Sequence, residues 1–143
     1  MGTKGRLERR RRRNAARRHL RPGGASELVG TIAPHRVTVI SGLARGIDTI
    51  AHHSSLEAGG RTVAVLANGR DEVCPPENRG LADRIVEHGA LISDYPLDTK
   101  PHGSYFPHRN RIISGLSLGT SIVEGDYTSG ADDYRAHGNR AGP

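Results

Sequence analysis

Apolar residues in this chain follow two alternating rhythms. From Val37 onward, short runs rich in β-branched residues recur: VTVI at 37–40, TVAVL at 62–66, ALIS at 90–93 and TSIV at 120–123. Each is apolar enough for a strand buried on both faces. Between the first two runs, Ile47, Ile50, Ala51 and Ala58 mark one face of a helix that Gly59 and Gly60 would end. Between the next two, PPEN followed by Leu81, Ala82, Ile85 and Val86 predicts a helix with proline at its start and Gly89 as its stop. A third helix follows SYFP, where Ile112, Ile113 and Leu116 keep helical spacing. Strand and helix alternate in units of about 25 to 30 residues, the rhythm of right-handed βαβ crossovers. The pattern predicts an α/β fold built on a doubly wound parallel sheet.

Both ends break the rhythm. Residues 1–24 show no apolar periodicity and read as a disordered arginine-rich tail, while ASELVGTIA at 25–33 predicts a short helix feeding the first strand. The folded unit then runs over residues 25–124, and residues 125–143 read as a second disordered tail with nothing to bury. Charge follows the same division. Nine arginines lie between Arg6 and Arg21, residues 1–36 carry a net charge of +9, and residues 37–143 carry a net charge of −3. The basic pI therefore describes the tail, and a case for nucleic acid in the folded part must rest on its local constellations. Cys74 is the only cysteine, which excludes an intramolecular disulfide framework and a cysteine-rich zinc site and suits a reducing cytoplasm. No run of about 18 apolar residues is present to span a bilayer, nor is there an apolar stretch behind the arginines like that of a signal peptide.

Two arginine-bearing segments carry the candidate chemistry. The first strand runs into SGLARGID at 41–48, where Gly42 lets backbone approach a ligand, Gly46 permits tight helix packing, and Arg45 brings positive charge to a first helical turn. This is neither a G-x-G-x-x-G fingerprint nor a G-x-x-x-x-G-K-[ST] loop, so ordinary turn chemistry stands beside phosphate binding as a reading. In SYFPHRNR at 104–111, Arg109 and Arg111 likewise fall in a first turn, where the helix macrodipole is already positive. Each would lose about 0.3–1 kcal/mol there without a nearby anion. Helices that follow parallel strands start at one edge of the sheet, so Arg45, Arg109 and Arg111 should border one crevice and form an anion site. Phe106, the only phenylalanine, and Tyr105 lie beside that charge. Arginine with aromatic faces suits single-stranded nucleic acid, although a lone phenylalanine also serves as a core anchor.

Three other patterns carry less. GLSLG at 115–119 fits G-x-S-x-G, but its serine would follow a helix and precede a strand, the reverse of a nucleophile elbow. Asp48, His52 and His53 lack an accompanying H-E-x-x-H or carboxylate pair, so no metal is assigned. Asp71, Glu72 and Glu77, in the loop before PPEN and within it, read as capping residues.

Taken together and in order, SGLARGID, GGRTVAVLANG, PPEN, GALISDYP, FPHRNRIISGLS and IVEGDYTSG resemble the DNA-processing protein A family (DprA, also called Smf) over residues 37–130. The resemblance implies a Rossmann-like domain that binds single-stranded DNA, forms a homodimer and helps load the RecA recombinase during natural transformation, a mediator without enzymatic activity or cofactor. It implies DNA contacts at Ser41, Gly42, Arg45 and Gly46 on the first turn and at Phe106, Arg109, Asn110 and Arg111 on the second, with Lys100 a further phosphate contact.

The chain also departs from that family. A strand ending in a glycine-serine-arginine turn, expected centrally in the sheet, is replaced by the arginine tail, and the sequence after TSG does not continue into the family's next unit. The expectation is an incomplete sheet, truncated at both ends. Two further readings stay open: a nucleotide-cleaving enzyme using Glu124 over a ribose, and a nonfunctional fragment whose tail binds any polyanion.

Overall fold

The computed structural model describes residues 22–121 and residue 123. The arginine cluster, Glu124 and residues 125–143 lie outside the described residues, as do the expectations about them.

Three parallel strands form the sheet: β1 (Val39–Ser41), β2 (Thr62–Val65) and β3 (Ala90–Ile92), in that spatial order. Val39, Ile40 and Ser41 pair with Thr62, Val63 and Ala64, while Val63, Ala64 and Val65 pair with Ala90, Leu91 and Ile92. Helix α1 (Pro22–Ile32) and a 3₁₀ turn (Ala33–His35) precede β1. Helix α2 (Ile47–Glu57) links β1 to β2, and a 3₁₀ turn (Pro76–Asn78) with α3 (Arg79–His88) links β2 to β3. Finally α4 (Tyr105–Leu116) returns to pack on β1 and β2.

Helix α1 begins three residues earlier than its apolar pattern predicts, so residues 22–24 belong to the fold rather than to a tail. Burial of Ala25, Val29 and Ala33 against α2 outweighs the low helix propensity of the PGG start. Among the described residues the fourth expected strand does not form: Thr120, Ser121 and Val123 lie outside any strand. Their run is apolar at its end only, and the described chain turns there instead of pairing. Val37 also falls outside β1 and is exposed.

The core gathers Leu43, Ala64, Leu66, Leu81, Ala82 and Ile85 around β2, the central strand. Helix α3 buries Leu81, Ala82 and Ile85 as its spacing predicts, but Val86 points to solvent. Gly89 ends that helix against β2, where a Cβ would strike the Thr62 carbonyl. Helix α2 differs more. It buries Ala51, His52, Ser54 and Ser55, and its isoleucines Ile47 and Ile50 are only half-buried. Small residues let α1 approach closely, and Ser54 donates to Ser26 Oγ across that contact at 3.0 Å.

Candidate nucleic-acid interface

The turn after β1 is held from several sides. Leu43 has φ of 79°, a left-handed conformation that costs a bulky residue about 1–2 kcal/mol. Complete burial of its side chain in the core offsets that cost, and Asn78 Nδ2 donates to its carbonyl at 2.9 Å. Asp48 closes the turn by accepting from Ser41 Oγ and from the Ala44 amide. Arg45 therefore precedes α2, whose N-cap is Gly46, and is not in its first helical turn. Gly46 has φ of 86° and open space where a Cβ would lie, so it serves backbone conformation and not tight packing.

Arg109 occupies the space beside Gly42. A Cβ on Gly42 would strike its guanidinium and come within 2.6 Å of Asp48 Oδ2. The close approach that this glycine permits is thus to a side chain of the same protein. Helix α4 starts at Tyr105, so Arg109 stands in its second turn and Arg111 further along, contrary to their expected place at the positive helix end. The helix begins early because Ser104 and Tyr105 are folded back through His102, whose carbonyl accepts from the Tyr105 amide at 3.0 Å. Arg109 is only 5% exposed. Its Nη1 donates to the Gly42 carbonyl at 3.1 Å and to the Val65 carbonyl at 2.7 Å, and its Nε donates to Asn110 Oδ1. Carbonyl dipoles at the ends of two strands thus receive this charge.

Phe106 lies over the same guanidinium, 5.5 Å from ring centroid to Cζ. It is 38% exposed, so it is a surface ring and not a core anchor. The preceding residue, Tyr105, belongs to an aromatic cluster. Tyr95 and Tyr105 have centroids 4.5 Å apart, Tyr105 lies 5.5 Å from His102, and Tyr95 meets His108 edge-on at 6.1 Å. Partial burial and the neighbouring Asp94 hold the Tyr95 phenol above its ordinary pKa, which keeps the ring neutral.

Of the predicted contact cations, Arg45, Lys100 and Arg111 are exposed, and each meets a carboxylate. Arg45 grips Glu77 with two nitrogens, Nη2 to Oε2 at 3.1 Å, and this partner raises its pKa while lowering that of Glu77. Lys100 donates to Glu72 Oε2 at 2.7 Å, which raises its pKa. Arg111 donates to Asp94 Oδ2 at 2.8 Å. Asp71 accepts from the Asp98 amide, and these backbone bonds hold its carboxyl below the usual range. The three loop acids therefore pair with cations and backbone across the loops instead of capping helices. All these groups follow carboxyl ends of strands, on the β1–α2, β2–α3 and β3–α4 connections or on α4 itself.

Asp48 and His52 do not converge on a metal position. The first is committed to the β1 turn and the second to Thr62, and among the described residues no group of three or more His, Cys, Asp and Glu side chains is arranged to hold one. Ser117 follows α4 and donates to the Ile113 carbonyl at 2.6 Å, a helix-end role.

A family model for DNA recombination-mediator protein A matches residues 13–134. The chain belongs to this family. Protein Smf of Synechocystis is 49% identical over 94 residues, 66% of this chain and 24% of that protein. DNA processing protein DprA of Bacillus subtilis is 48% identical over 93 residues, 65% and 31% respectively. The chain thus spans less than a third of the length of these relatives. Among solved structures, DNA processing protein A of Streptococcus pneumoniae superposes with a TM-score of 0.70 at 31% identity, covering 81% of this chain and 42% of that one. The Helicobacter pylori protein, described for its unique single-stranded DNA binding mode, gives 0.76 at 25% identity, covering 83% and 54%.

Within this family member, two site features escape a reading of the sequence alone. Tyr95, His102 and His108 join the aromatic surface through folding of the β3–α4 loop, and only the aromatic-rich composition of DYP and SYFPH hinted at it. Asn78 supports the first turn from 35 residues away, a contact without local signature. Among the described residues, no helix is long and apolar enough to cross a membrane.

Proposed function

We propose that this chain acts in the cytoplasm as a single-stranded DNA-binding recombination mediator of the DprA type and not as an enzyme, with the RecA recombinase as protein partner and a second copy as homodimer mate. The observation that carries the reading is the position of Phe106: the chain's one phenylalanine is exposed at the surface, backed by the Arg109 guanidinium and next in the chain to Tyr105, which pairs with Tyr95. An exposed aromatic costs solubility, and a stacked base would cover it with a gain of about 1–3 kcal/mol. Arg45, Lys100 and Arg111 supply phosphate contacts around it. Their carboxylate partners form exposed, solvent-screened ion pairs, so a phosphate exchanges with them at small cost. Family membership and the single-stranded DNA binding described for the Helicobacter pylori relative support the same ligand.

The test removes residues 1–21, because nine clustered arginines bind any polyanion. The remaining protein should prefer a single-stranded oligonucleotide over duplex, and Phe106→Ala should weaken single-strand binding about tenfold with an unchanged salt slope, since a ring and no charge is lost. A folded, tail-deleted protein that ignores single-stranded DNA at low salt would refute the reading.

A further inference from the structure

His108 and Arg111 lie one helical turn apart on α4, so their side chains share a face of that helix. Both reach the same carboxylate on the β3–α4 connection. Arg111 Nη2 donates to Asp94 Oδ2 at 2.8 Å and stands 3.0 Å from His108 Nε2. A guanidinium offers donors only, so Nε2 is the acceptor and the neutral ring carries its proton on Nδ1. The same Nε2 lies 3.5 Å from Asp94 Oδ2. One donor is thus shared by two acceptors that are themselves within ion-pair range. Asp94 and Tyr95 face the ring from the β3–α4 connection, the latter edge-on and neutral, and Arg111 faces it from its own helix. Among the described residues, the ion pairs of Arg45 with Glu77 and of Lys100 with Glu72 include no such third partner.

This triangle is compatible with one protonation state of the ring only. A solvent proton on Nε2 removes the acceptor and sets two cations 3.0 Å apart. The new N–H then has Asp94 as its nearest acceptor. We infer that His108 is a positioning residue for Arg111: the neutral ring and Asp94 together hold the guanidinium on the protein, and the protonated ring takes Asp94 and releases Arg111 to a DNA phosphate. The inference rests on the single-strand binding proposed above and gives that binding a pH response. Histidine suits the task because its charge changes between about pH 5 and 8. A glutamine would hold Arg111 at every pH, and a lysine would repel it at every pH.

The experiment uses the full chain and a single-stranded thymidine oligonucleotide carrying a pH-insensitive rhodamine label, titrated by fluorescence anisotropy between about pH 8 and pH 5.5. Circular dichroism at each pH monitors the fold. The arginine cluster contributes equally to wild-type and variant chains, so the difference between their pH profiles is the quantity read. Acidification should tighten wild-type binding about fivefold more than it tightens His108→Gln, and should steepen the salt slope by about one in the wild type alone. Arg111→Ala should lose the same response. Parallel profiles for wild type and folded His108→Gln would overturn the inference. A response that survives in Arg111→Ala would overturn it too, because His108 would then meet phosphate itself. Nitrogen-15 spectra of the DNA-free protein separate the two levels of the argument: the Arg111 Nε–H signal should move as the His108 ring titrates and stay still in His108→Gln. An unmoving signal refutes the exchange of partners whatever the DNA results. A moving signal with parallel DNA profiles also overturns the inference, and traces the failure to the reading of Arg111 as a phosphate contact.

Discussion

Replacing Arg109 with alanine separates a structural cation from a DNA-contacting one. Its Nη1 bridges the carbonyls that follow β1 and end β2, so the side chain fastens α4 to the sheet. Hydrogen bonds from a charged donor contribute about 1.5–3 kcal/mol each, and the two to backbone carbonyls are lost together with the one to Asn110 Oδ1. Part of that loss is offset, because the buried guanidinium no longer has to be kept out of water. A net destabilisation of about 2–3 kcal/mol follows. In a described core of this size that lowers the thermal midpoint by about 10–20 °C. Urea denaturation followed by far-ultraviolet circular dichroism measures the loss directly. DNA titrations at several salt concentrations, run well below the transition, complete the assay. The salt slope of single-strand binding should stay the same, because a guanidinium already spent on carbonyls has released no counterion to phosphate. Affinity itself should fall modestly as Phe106 loses its support. Unchanged stability together with a slope reduced by about one would refute this assignment and make Arg109 a phosphate contact.

Gly42→Ala should reproduce the stability loss of Arg109→Ala, since the new methyl displaces the guanidinium, and the double mutant should be no worse than either single one when thermal midpoints are compared. His52 is buried, its Nδ1 meets Thr62 Oγ1 at 2.7 Å, and Thr62 in turn donates to the Val39 carbonyl, so the neutral ring carries its proton on Nδ1 and leaves Nε2 as an acceptor without a partner among the described residues. Burial lowers its pKa from 6.5 to about 4. The unfolded chain therefore binds the extra proton first, and stability is full above pH 6.5 and falls by about 3 kcal/mol as pH drops toward 4. His52→Leu should flatten that stretch of a stability-against-pH curve, and an unaltered curve would place the titration elsewhere. Glu77→Gln should release Arg45 and tighten single-strand binding about two- to fivefold at low salt, an advantage that shrinks as salt screens it. Equal affinities at low salt would show that Arg45 does not meet DNA.

Periodicity located all three described strands and three connecting helices because each buries a contiguous apolar face, the property that a one-dimensional pattern records. It failed where other forces decide. TSIV reads as a strand, yet among the described residues Thr120, Ser121 and Val123 take no part in the ladder and instead line the cavity beside β1. Helix α2 hides serines and a histidine while Ile47 lines the cavity beside β1, since close packing of α1 favours small side chains. The site was legible as residue types, not as roles. Arg109 and Arg111 look equivalent in RNR, but two positions along a helix turn one into the protein and the other outward. The carboxylate partners of Arg45 and Lys100 lie 32 and 28 residues away, beyond any local pattern.

Under the proposed function, this arrangement bears on how residues 37–143, with a net charge of −3, would receive a polyanion. Free surface arginines would spread over many rotamers, and ordering them on binding consumes part of the contact energy. A carboxylate held on the opposite loop fixes each cation beforehand. A phosphate that replaces it finds a preoriented donor and releases the acid to water, so little affinity is lost and geometry is gained. The same acids repel a duplex more strongly than a single strand, because a duplex carries about twice the charge per unit length. Selection for unpaired strands then needs no base-specific contact. In the proposed reading it follows from aromatic rings that only an unstacked base can cover, with cations nearby whose net attraction is weak. Affinity without such selection would come from the arginine cluster between Arg6 and Arg21, so the two properties divide between the two parts of the chain. Raising salt should therefore narrow the affinity gap between full-length and tail-deleted protein while leaving the preference for single strands in place.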